Sequence, residues 1–109
     1  MSDVEQTLNG TDRKFLRGLA HHLDPVAKVG KNGVTDALMA AVAKGLDDHE
    51  LIKVKFIGFK DEKRALSTQI AERAGCEQVG LIGNIALYYR RQPDKDKRKI
   101  DLEKRTVEH

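Results

Sequence analysis

Cysteine occurs once in 109 residues, proline twice, and tryptophan not at all. The lone Cys76 excludes an internal disulfide framework and a thiolate metal site, and points to a reducing compartment. No hydrophobic run approaches the length of a membrane span. Residues 1–10 are polar and acidic, without the basic and apolar regions of a secretory signal, so a cytoplasmic protein is expected. The GxxxxGK[ST] spacing of a nucleotide-triphosphate loop is missing. No Ser/His/Asp or Cys/His arrangement is recognisable, so neither an enzyme nor a cofactor is expected. His21, His22 and His49 lack acidic or thiol partners at ligand spacing, which argues against a metal.

What is present is charge, 34% of the residues against 39% hydrophobic, in a chain long enough for one domain. The formal net charge of +3 and pI near 9.1 favour an anionic partner only mildly, and the distribution says more. Residues 11–33 carry Arg13, Lys14, Arg17, Lys28 and Lys31 against Asp12 and Asp24, whereas residues 34–90 balance eight bases with eight acids. The positive excess of the structured region is therefore concentrated around residues 11–33.

Hydrophobic periodicity predicts the element order α-β-α-β-α-β-β. Phe15, Leu16, Leu19 and Leu23 recur at helical spacing behind Thr11 as N-cap, and Pro25 stops that helix near Leu23. Gly18 in its middle either marks the close approach of another backbone or is simply tolerated there, at about 1 kcal/mol relative to Ala. Residues 25–29 read as a strand and residues 35–47 as a second helix buried along Leu38, Val42 and Leu46. Residues 51–57 alternate strictly, with Ile52, Val54 and Phe56 inward and Lys53 and Lys55 outward. One sheet face is thus covered, and the other meets solvent or a ligand. A third helix starts at Asp61 and stops at Gly75. Residues 76–82 and 85–90 form a hairpin around Gly83-Asn84. Together these predict a layered α/β domain with a four-stranded mixed sheet over residues 11–90. A loose lead-in, 1–10, precedes it, and a charged, flexible or weakly docked tail, 91–109, follows.

Gly30-Lys31-Asn32-Gly33 lies between the first strand and the second helix. Two glycines around a lysine and an amide turn the backbone sharply and leave room for a close-lying polyanion. KH-type modules use a GxxG loop in this way to clamp a nucleic-acid backbone. The runs Leu19-Ala20-His21, Pro25-Val26, Gly30-Lys31-Asn32-Gly33-Val34-Thr35, His49-Glu50-Leu51-Ile52-Lys53-Val54-Lys55 and Ile82-Gly83-Asn84-Ile85-Ala86-Leu87-Tyr88-Tyr89-Arg90 resemble the CRM (YhbY-like) RNA-binding domain, in order, over residues 11–90. The resemblance implies a KH-like fold similar to the C-terminal domain of translation initiation factor three. It also implies association with precursors of the large ribosomal subunit. With one copy and no transit peptide, the prokaryotic branch is the expected one.

On this reading Gly30 and Gly33 give clearance, Lys31 pairs with a phosphate, and Asn32 donates to backbone or base edges. Arg13, Lys14, Arg17 and Lys28 add phosphate contacts. Lys53, Lys55, Tyr88 and Arg90 offer a secondary RNA surface on the open sheet face, where the tyrosine either stacks a base or packs against the lysine stems. The expected partner is ribosomal RNA bound by a monomer. The rival reading is a protein-interaction adaptor for an assembly factor or ribosomal protein, with RNA contact incidental. The low aromatic content keeps it open.

Overall fold

The computed structural model describes residues 8–58, 61–94, 96, 98 and 100. In it the strand Leu51–Phe56 runs through the interior of a four-stranded sheet and separates two cores. The elements are α1 (Gly10–Ala20), β1 (Pro25–Val29), α2 (Asp36–His49), β2 (Leu51–Phe56), α3 (Lys63–Ala74), β3 (Glu77–Ile82) and β4 (Ile85–Tyr89). The sheet order is β1-β2-β4-β3, with β1 parallel to β2 and β4 antiparallel to both its neighbours. The element order and the mixed sheet are those the periodicity predicts.

Side chains of one strand alternate between faces, so β2 feeds both cores. Ile52, Val54 and Phe56 pack with Leu38, Val42 and Leu46 of α2, Ile70 of α3, and Tyr88 of β4. Leu51 faces the other way and joins Leu8, Leu16, Ala20, Val79, Leu87 and Tyr89 under α1. The result is three layers, α1 on one face and α2 with α3 on the other. Each fully buried aliphatic side chain contributes roughly 1.5–3 kcal/mol. Helix α2 lies close on the sheet because Gly45 has no side chain. A Cβ there would stand 3.1 Å from a methyl of Ile52 and 3.3 Å from one of Val26.

The ends of the helices are set by local chemistry. The N-cap of α1 is Asn9 rather than Thr11: its side chain accepts from the Asp12 N–H, and the Asp12 carboxylate accepts from the Asn9 N–H. The helix stops at Ala20, earlier than Leu23, because the Leu23 N–H already closes a turn onto the Ala20 carbonyl at 3.0 Å. Thr35 caps α2 through the Leu38 N–H. That helix runs two residues beyond the expected 47, and α3 begins at Lys63 instead of Asp61. Gly75, at φ 65°, closes α3. Gly18 approaches no backbone, for nothing lies within 4 Å of where its Cβ would be.

Residues 1–7 of the expected lead-in, and much of the 91–109 tail, lie outside the described residues. Leu8, 7% exposed, is part of the second core. The described part of the tail is tied down by Glu50, which is fully buried between α2 and β2 at φ 67°. Its two carboxylate oxygens accept the N–H groups of Gln92 and Ile100, each at 2.8 Å.

Candidate nucleic-acid interface

A tight turn at the C-terminal end of β1 forms the tip of the site. The Gly33 N–H donates to the Gly30 carbonyl at 2.9 Å, closing residues 30–33 into a β-turn with Lys31 and Asn32 exposed at its corners. Gly33 sits at φ 73°, which explains its glycine. Gly30 needs none of that freedom: its φ is ordinary, and a Cβ on it would meet nothing within 4 Å. Whatever the second glycine serves, it is not the chain's own packing. The N-terminus of α2 behind the turn is a poor phosphate seat, since Thr35 takes the Leu38 N–H and Asp36 places a carboxylate in the first turn.

Beside the turn runs a strip of lysines. Lys28 of β1 is directly opposite Lys55 of β2, and Lys53 follows two residues along on the same face. Like charges facing each other across a sheet are destabilising, so a polyanion laid over Lys28 and Lys55 relieves a repulsion as well as forming ion pairs. The strip is accessible because α1 covers only the Leu51 end of this face. Lys55 is exposed and Lys53 half-buried.

The bases of α1 are not beside the turn. Arg13 donates to the Gln78 carbonyl at 2.7 Å and pairs with Glu77 at 3.3 Å. Arg17 reaches the Val79 carbonyl at 3.4 Å, its stem lying over Gly80. Both grip β3, the sheet edge opposite β1, about 14 Å away at the usual strand spacing. Lys14 is exposed. The clustering in sequence thus separates into two places in space: Lys28 and Lys31 at one edge, Arg13 and Arg17 at the other.

Tyr88 does not lie on the lysine face. It is opposite Ile52, 0% exposed, and its hydroxyl donates to the Ser67 carbonyl at 2.8 Å beneath α3. The placement follows from register, because Lys53 pairs with Leu87 and its neighbour Tyr88 must face the other way. A base cannot stack there. Arg90 is likewise committed to structure, with its guanidinium on the carbonyls of Ala74 and Ala43 and the carboxylate of Asp47 at 2.7, 3.4 and 2.8 Å.

Sequence reasoning missed what occupies the open face in place of the tyrosine. Between the flank of α1 and the sheet lies a groove of about 170 Å³, open to solvent and lined by Arg17, His21 and Lys53 above Ile82, Ile85 and Leu87. Ile82 is 59% exposed. Its place follows from the hairpin register, Ile82 opposite Ile85 and Ile85 opposite Lys55, which needs a strand order that a single sequence does not print.

Cys76 is half-buried; burial pushes its thiol up to about 12, with Arg90 opposing, so it is a poor nucleophile at neutral pH. Among the described residues no three His, Cys, Asp or Glu side chains are grouped to hold a metal ion. No helix among them is long and apolar enough to cross a membrane.

Comparison with known proteins decides the family. The CRS1 / YhbY (CRM) domain model matches residues 8–90, covering α1 through β4. The chain belongs to the CRM family. An "RNA-binding protein" of Haemophilus influenzae is 41% identical over 85 residues, 77% of this chain and 86% of that protein. The "Probable RNA-binding protein PA4753" of Pseudomonas aeruginosa is 37% identical over 91 residues, 83% of this chain and 88% of that one. The solution structure of the protein SAV1595 from Staphylococcus aureus superposes with a TM-score of 0.72 at 30% identity, covering 87% of this CRM chain and all of its own. The match begins at Leu8, a residue of the second core.

Proposed function

We propose that this CRM-family chain is an RNA-binding protein that seats a sugar-phosphate backbone on the Gly30–Gly33 turn and the lysine strip beside it. The observation that carries the reading is Gly30, a glycine that neither its φ nor its neighbours require, next to exposed Lys31 and Asn32. A backbone without Cβ lets a phosphate come close, Lys31 and Lys28 supply charge, and Lys55 extends the contact along the sheet. The names of the relatives support RNA as the polyanion. The family resemblance supports ribosomal RNA in a large-subunit precursor as the target, and the proposal has a monomer meet it in the cytoplasm. Contacts of this kind read shape and charge more than sequence.

The test is a salt titration with a large-subunit ribosomal RNA transcript. Log K falls linearly with log salt for the native chain, and Lys31→Ala lowers affinity and flattens the slope by about 0.7–0.9, one phosphate contact. An unchanged slope in a folded Lys31→Ala variant would remove the turn from the interface. Pull-down from cells before and after nuclease treatment separates the adaptor reading. Partners that persist undiminished favour the adaptor, whereas loss on nuclease treatment favours RNA.

A further inference from the structure

The groove beside α1 combines two properties that a phosphate-binding strip alone does not need. Its rim is basic on both sides, with Arg17 of α1 and His21 just beyond that helix facing Lys53 of β2, and no carboxylate lines it. Its floor is apolar, Ile82, Ile85 and Leu87, on a surface otherwise dominated by charge. The space, about 170 Å³, matches the scale of a single aromatic ring, since an apolar void of about 150 Å³ takes up benzene. The groove is also in line with the turn. From Lys53 the strip passes through Lys55 and its partner Lys28 to Gly30, about 13 Å of strand rise.

We infer that the groove holds one unpaired nucleotide of the bound RNA, its base laid on Ile82 and Ile85 and its phosphate held between Arg17 and Lys53. The inference rests on the RNA-binding reading and extends it from backbone contact to capture of a splayed base. Isoleucine lacks a π face, so the floor offers apolar contact without hydrogen-bond readout, and the seat accepts any base. It rejects duplex, whose bases are stacked and paired. Single-stranded segments flanking a structured element are the substrate class this predicts.

The absence of tryptophan from the chain makes the test clean. Ile82→Trp places one indole at an exposed, strand-compatible position, where it reports base contact and adds a stacking surface. The probe is a fluorescein-labelled 12-nucleotide single-stranded oligoadenylate, with a blunt RNA duplex as comparison. Binding is followed by anisotropy for the native chain, and unlabelled oligomer is used for the indole signal. The expected result is quenching of the indole by the single strand and not by the duplex. Affinity should rise severalfold over the native chain for Ile82→Trp and fall severalfold for Lys53→Ala. If the native chain and the Ile82→Trp variant bind the single strand equally and the indole is unmoved, the groove is not the seat, although RNA binding stands. If neither binds single-stranded nor ribosomal RNA at low salt, the RNA-binding reading fails and the groove proposal with it.

Discussion

Tyr88 and Tyr89 are adjacent in sequence and opposite in consequence. The Tyr88 hydroxyl has a partner in the Ser67 carbonyl, while that of Tyr89 is buried with no hydrogen-bond partner among the described residues. A buried polar group without a partner costs about 1–3 kcal/mol, whereas a satisfied one contributes about 1 kcal/mol. Tyr89→Phe is therefore expected to leave stability unchanged or raise it, and Tyr88→Phe to lower it by about 1 kcal/mol, as read by urea unfolding. The same burial gives a pH dependence. Cys76 moves from its ordinary 9.0 to about 12, and Tyr89 from 10.0 to about 12, in each case first through burial, with the nearby Glu50 adding to the effect at Tyr89. Both groups are held protonated by the fold, so their contribution is full below the unfolded values and is lost as pH rises through about 9 to 12. The urea midpoint should fall steadily above pH 9, and Cys76→Ala should make that fall shallower. A flat alkaline profile would contradict the placement of these side chains.

At the scale of elements, the helices and strands were legible in the sequence because each carries a pattern of its own period. The inward Ile52, Val54 and Phe56 against the outward Lys53 and Lys55 announced a sheet covered on one side. Helix ends are less legible, because caps depend on side-chain geometry: Asn9 and Asp12 cap each other where the sequence pattern points to Thr11. The face assignment of Tyr88 failed for a different reason. It needs the pairing of β4 with β2, a long-range fact that local pattern does not carry. Gly18 belongs to this scale too. Helix α1 holds it in an open, helical position, so Gly18→Ala should stabilise the protein by up to about 1 kcal/mol through helix propensity alone. A lower thermal midpoint for that variant would mean that something approaches Gly18 after all.

The described residues form a sheet with two helices behind it and one helix half-covering its front. The uncovered half of the front carries the lysine strip and the groove, and the turn projects from its end. Charge alone is a weak guide to this surface. Arg13, which looks like a phosphate ligand in the sequence, spends its guanidinium donors on Gln78 and Glu77 of β3, and Arg90 spends its own on Ala74, Ala43 and Asp47. Arg17 makes one 3.4 Å bond to Val79 and still lines the groove. Lys28, Lys31, Lys53 and Lys55, drawn from segments up to 27 positions apart, join the Arg17 side of the groove on one surface only through the fold.

That surface stands or falls with Gly30, where native structure demands no glycine. Gly30→Ala leaves a Cβ in open space at an ordinary φ, so its thermal midpoint should equal or slightly exceed that of the native chain. Its affinity for a large-subunit ribosomal RNA transcript at low salt should drop at least severalfold. Native stability with native affinity would contradict the account, because nothing would then need to come close to the turn.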